Sequence, residues 1–119
     1  MENFTLVRPE HLNHHGYLFG GVMLKWVDEI AWMAATRDFP GCTLVTVAMD
    51  AIRFTQRVNN GSTLRFQVEK QTHGRSSATY AVHVFAVEPG AAEEYGVFKT
   101  HITFVRVNDA GRPCSLPKL

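Results

Sequence analysis

From Val22 to Ala35 the chain reads VMLKWVDEIAWMAA, an apolar run whose few polar residues recur at helical spacing. Wound at about 100° per residue, Lys25, Glu29 and Thr36 fall on one narrow stripe, with Lys25 and Glu29 spaced as an i,i+4 ion pair. The rest of the circumference is apolar, which predicts a helix buried nearly all round. Gly20 and Gly21 stand where a polar turn becomes this helix, and Arg37-Asp38 ahead of Pro40-Gly41 end it. Asp28 breaks the pattern. Its helical neighbours Gly21, Leu24, Trp32 and Ala35 carry no charge, and a carboxylate on an apolar arc must be paired, protonated or used.

Beyond the helix the periodicity changes to that of strands. Phe4–Val7 is a short first strand stopped by Pro9, and His11–Tyr17 is a loop rich in turn formers. Thr43–Phe54 is β-branched and apolar, with a bend expected near Met49-Asp50. After the turn Asn59-Asn60-Gly61, the residues Leu64, Phe66 and Val68 alternate with polar ones, the mark of a half-buried strand. His73-Gly74-Arg75-Ser76 predicts a tight hairpin into Ala78–Val87, which is apolar on both faces. A loop from Glu88-Pro89-Gly90 through Glu94 leads to Val97–Val107, closed by Asp109-Ala110-Gly111, and the tail Arg112–Leu119 is expected to be irregular. One helix and several long turn-connected strands give an α+β fold, an antiparallel sheet wrapped around a long central helix. A sheet covers a helix on one side only, so a second subunit is expected to cover the other.

Composition narrows the picture. The 119 residues fit one domain spanning 1–119 and need no disulfide framework. With 12 Lys and Arg against 11 Asp and Glu, the chain lacks the basic excess of a general nucleic-acid binder. Cys42 and Cys114 have no metal-like spacing and read as reduced thiols. No run reaches a spanning length and Met1-Glu2-Asn3 does not begin a signal peptide, so the expectation is a cytoplasmic protein with no membrane or nucleic-acid partner.

The order Asn13-x-x-Gly16-x-x-Phe19-Gly20-Gly21, then Trp26-x-Asp28-Glu29, resembles the hotdog-fold acyl-coenzyme A thioesterases of the acyl-CoA hydrolase branch. Val45-Thr46, Gly74-Arg75-Ser76-Ser77 and Gly111-Arg112-Pro113 continue the resemblance in register along nearly the whole chain. It implies a single hotdog domain with a five-stranded antiparallel sheet, paired with a second copy through the sheets and in several members assembled as a trimer of dimers. Two departures occur. Gln56-Arg57-Val58 stands where relatives usually carry a turn proline, and Gly61-Ser62 where they usually carry Gly-Asp.

Thioester hydrolysis needs donors for a developing oxyanion, an activated water or a carboxylate nucleophile, and a hold on coenzyme A. The unpaired N–H groups of the helix start suit the first, which assigns Gly20 and Gly21; the plainer reading is that they make the turn. The resemblance places the catalytic carboxylate at Asp28, as general base or nucleophile. It places at Asn13 an asparagine that orients water or thioester, against the alternative of a loop-capping turn residue. Arg75, Ser76 and Ser77 offer a guanidinium, two hydroxyls and backbone N–H groups for coenzyme A, or simply form a hairpin turn. Coenzyme A enters as part of the acyl-CoA substrate and no other cofactor is expected. Asp28 lies about 12 Å along the helix from Gly20, too far for both to meet one thioester carbon, so the site is expected to be shared between subunits.

His11, His14 and His15 invite a metal reading but show no evident further ligand, so none is expected. His73, His83 and His101 read as structural. Trp26, Trp32, Phe54, Phe66, Phe85 and Phe104 read as core and interface packing, with some of them candidates for the wall of an acyl tunnel. The competing readings are a hotdog dehydratase using His14 or His15, and a non-catalytic acyl-CoA-binding domain.

Overall fold

The computed structural model describes residues 1–118. In chain order the elements are β1 (Glu2–Leu6), a single 3-10 turn (Pro9–His11), α1 (Gly20–Asp38), β2 (Thr43–Phe54), β3 (Thr63–His73), β4 (Ser77–Val87) and β5 (Tyr95–Val107). The strands form one antiparallel sheet in the order β1-β3-β4-β5-β2. Hairpins join β3 to β4 and β4 to β5, while β2 crosses to the far edge beside β5. The tight turn at Gly74 is closed by its N–H donating to the Ser77 carbonyl at 2.7 Å.

α1 lies across one face of the sheet. Met23, Val27, Ile30, Ala31, Ala34 and Ala35 are its buried side. They meet Leu64, Phe66 and Val68 of β3, Tyr80, Val82 and Val84 of β4, and Ile102 and Phe104 of β5, which form one continuous core. Alternate residues of β4 are buried and the intervening ones half-buried except the exposed His83, as suits a central strand.

Burial of the helix all round is not met within one chain. Trp32 and Met33 remain 44% and 40% exposed, and the edge strand β2 exposes Val45, Val47 and Ile52. A sheet has only one inner face to offer, and β2 has no neighbour on its outer side. The bend of β2 falls on both sides of the expected place, with register shifts between Thr46 and Ala48 and between Asp50 and Arg53. Ala51 there takes a φ of +51°, a left-handed conformation uncommon outside glycine.

Over its described residues 112–118 the tail has no helix or strand, as expected, but it is bonded to the fold at three points. Pro113 bridges Val107, the Cys114 N–H donates to Arg106 at 2.9 Å, and the Leu116 N–H donates to Arg75 at 2.7 Å, which seats Leu116 in the core. Among the described residues no helix is long and apolar enough to cross a membrane.

Candidate active site

The N-cap of α1 is Phe19, whose side chain has no oxygen to bond the first turn. Among the described residues the N–H groups of Gly20 and Gly21 find no acceptor, so they remain available at the positive end of the helix. The loop before the helix is held by backbone hydrogen bonds, one within it and one to the segment after β2. The Phe19 N–H donates to His11 and the Leu18 N–H to Val58, both at 2.9 Å. Asn13 acts as the turn residue here, its Oδ1 accepting the N–H groups of His15 at 2.9 Å and Tyr17 at 3.2 Å. That role uses the oxygen and leaves the amide NH2 free to donate.

Asn13 and Gly20 open onto the same cavity, about 840 Å³, floored by Met23, Val58 and Val97 and flanked by Phe54. Gly20 sits under the ring of Phe54, where a Cβ would come within 3.4 Å of that ring. Gly21 does not line the cavity; the space beside it is taken by Phe19.

Asp28 lies eight residues further along the same helix, about 12 Å by helical rise, and does not line that cavity. It is half-buried and accepts a 2.6 Å hydrogen bond on Oδ1 from the Thr46 hydroxyl of β2. One helical turn on, the Trp32 indole N–H donates to the Leu44 carbonyl at 3.1 Å, so this stretch of α1 is fastened to the start of β2. Thr46 is the functional candidate that residue patterns alone passed over, because a threonine in a β-branched strand looks like any strand former.

The Gly74-Arg75-Ser76-Ser77 turn stands apart from both groups. Arg75 lines a groove of about 530 Å³ with His73, Lys118 and the tail. Ser76 contributes its carbonyl to the Arg106 N–H, and Ser77 opens β4 opposite Val105. Neither serine lines that groove.

The three histidines of the entry loop do not converge. His11 Nδ1 accepts the Arg8 N–H at 3.0 Å and its ring packs edge-on against Trp26, whereas His14 and His15 lie against each other at 3.9 Å. Among the described residues no group of three or more His, Cys, Asp or Glu is placed to hold a metal ion. His73 packs on Phe39, His83 on Phe85, and His101 lies 3.9 Å from Asp50.

A long helix laid across a five-stranded antiparallel sheet, its N-terminus open to a cavity and a carboxylate at mid-length, defines a hotdog domain. The chain belongs to the thioesterase superfamily, which it matches over residues 15–93. It is 33% identical over 100 residues to mouse acyl-coenzyme A thioesterase 11, an alignment covering 84% of this chain and 17% of that protein. The chain therefore spans about a sixth of the length of that relative. A hexameric thioesterase from Yersinia pestis superposes with a TM-score of 0.88 at 28% identity, covering 98% of this chain and 93% of that one. The acyl-CoA hydrolase of Staphylococcus aureus, solved with butyryl coenzyme A and coenzyme A, gives 0.88 at 26% identity, covering 98% and 71%.

Proposed function

We propose that the chain hydrolyses the thioester of acyl-CoA to a carboxylic acid and coenzyme A. The observation that carries this reading is Asp28, a carboxylate held on the helix by Thr46 and not neutralised by any ion pair among the described residues. In one course Asp28 takes a proton from water as the new C–O bond forms, the C–S bond breaks and the proton passes to the leaving sulfur. In the other its carboxylate attacks the carbonyl, thiolate departs, and water then cleaves the anhydride. Donors for the oxyanion are the N–H groups of Gly20 and Gly21, with the Asn13 amide orienting thioester or water. Arg75, Ser76 and Ser77 take the coenzyme A portion, and coenzyme A is needed only as part of the substrate.

Both groups must reach one carbon, and a single helix separates them by about 12 Å. We therefore propose a homo-oligomer built on a dimer in which Asn13, Gly20 and Gly21 of one copy face Asp28 of another. The open edge of β2 and the exposed Trp32 and Met33 are the surface for that pairing. The hexameric state of the Yersinia pestis relative supports further assembly as a trimer of dimers.

Thiol release from acyl-CoAs of graded chain length, followed with a thiol reagent, tests the activity. Turnover above the uncatalysed rate on at least one of them is expected. A chain that binds acyl-CoA without releasing thiol would be a binding domain and the hydrolytic reading would fall.

A further inference from the structure

The cavity at the start of α1 carries a charge pattern that the hydrolytic residues leave unexplained. Among the described residues of one chain no aspartate or glutamate lines it, and Arg57 is its one permanently charged side chain, with His15 also on the wall; the shared site proposed above would bring Asp28 of a second copy to the Asn13 and Gly20 end. Among the described residues Arg57 forms no ion pair with any carboxylate. The open end of α1 adds positive potential through Gly20. The remaining wall is largely apolar, with Leu18, Met23, Phe54, Val58 and Val97. Arg57 is exposed at the mouth of the cavity, and a guanidinium there without a carboxylate partner in its own chain attracts an anionic group entering from solvent.

Arg57 is also held in place. Its guanidinium lies over the Tyr17 ring, 4.6 Å from the centroid. Tyr17 is fixed in turn by its N–H bond to Asn13 Oδ1, by its bridge to Asn59, and by the adjoining bond from Leu18 to Val58. The segments 13–18 and 55–59 are thus stitched into one wall. A stacked guanidinium keeps its N–H edge free for a planar or tetrahedral oxyanion.

We propose that Arg57 is a binding residue for a negatively charged group of the thioester ligand, a carboxylate or phosphate taken into this cavity. The inference rests on the thioesterase reading above. Two parts of such a ligand carry that chemistry, a carboxylate at the far end of the acyl chain and a phosphate of coenzyme A.

Calorimetric binding to the 119-residue chain separates the sources without requiring turnover. One pair of probes is coenzyme A and pantetheine, which lacks its phosphates and adenosine, so the comparison read is the change that the Arg57 substitution makes in each. The other is a non-hydrolysable thioether of coenzyme A ending in a carboxylate and its methyl ester. Arg57→Gln is expected to weaken the anionic member of one pair about tenfold while its neutral partner changes less than twofold. Arg57→Lys should recover part of that loss, since it keeps the charge and loses the bidentate fork. Equal weakening within both pairs would mean that Arg57 only packs on Tyr17, and unchanged affinity throughout, or no binding of either anionic probe to the wild type, would equally overturn the proposal. Thiol release by the wild type on neutral acyl-CoAs is read separately, so failure of the hydrolytic reading shows there and not in the Arg57 ratio.

Discussion

Asp28 and Thr46 are a unit at the scale of single side chains. The Thr46 hydroxyl fills one lone pair of Asp28 Oδ1 at 2.6 Å and leaves the other oxygen uncommitted, so it fixes the direction in which the carboxylate points. Asp28→Asn keeps the shape and removes the base or nucleophile, and is expected to lower kcat by about 10²- to 10⁴-fold with an unchanged circular dichroism spectrum. A variant within a few-fold of wild type would make Asp28 structural. Thr46→Val keeps the β-branched packing but loses the hydroxyl, so kcat should fall about tenfold with little change in KM. Thr46→Ser should restore most of it; kcat within twofold of wild type for the valine variant would remove Thr46 from the site. The charge of Asp28 was legible in the sequence because it interrupts an apolar arc. Its partner was not, since Thr46 lies 18 positions away and only tertiary packing sets α1 on β2. Arg57 was visible in the sequence only as a departure in a turn, and its place in a cavity wall depends on the bond from Leu18 to Val58.

At the scale of elements, α1 ends on a residue that its own dipole disfavours. Asp38 sits at the negative helix end, and the Tyr80 hydroxyl of β4 donates to its Oδ2 at 2.7 Å. Burial first, and the Asp38 carboxylate next, push the Tyr80 phenol well above its ordinary value of 10.0. A raised folded-state value gives stability that is complete below about pH 10 and declines as pH rises from there toward the folded value. Tyr80→Phe should cost about 1.5 kcal/mol in urea unfolding at pH 7. The gap between variant and wild type should narrow above pH 10; a gap constant to pH 11 would contradict this coupling. Tyr95, raised in the same direction by burial and then Glu88, titrates in both proteins and leaves the comparison intact. The turn after β2 makes a second element-level prediction. Gly61 has a φ of +83°, and a Cβ there would lie 2.9 Å from Pro89 Cγ, so Gly61→Ala should destabilise by about 2 kcal/mol in the same assay. A loss under 0.5 kcal/mol would mean that the turn relaxes freely. Helix and strands were readable because their periods of 3.6 and 2 are local properties. The order β1-β3-β4-β5-β2 and the fastening of the tail by Leu116 to Arg75 were not, because they depend on contacts distant in sequence.

Across the whole molecule, α1 and β2 run in opposite directions. The start of the helix meets Phe54 at the end of β2, while Asp28 meets Thr46 near its beginning. One chain thus keeps its proposed oxyanion donors and its carboxylate at separate places, and the exposed edge of β2 is where a second copy would bring them together. Complementation between Asn13→Ala and Asp28→Asn decides whether it does. Each homodimer should be nearly inactive, since every site holds one lesion. In a mixed dimer both lesions fall into one site, and the other takes intact Asn13 from the Asp28→Asn chain and intact Asp28 from the Asn13→Ala chain. Random pairing makes about half the dimers mixed, so roughly a quarter of wild-type activity should return when the variants are co-expressed or refolded together. Sites confined to one chain would recover nothing, because each would still carry a lesion. An inactive mixture, with mixed dimers confirmed by mass, would therefore rule out the shared site and require Asn13 and Asp28 of the same chain to act across 12 Å of helix.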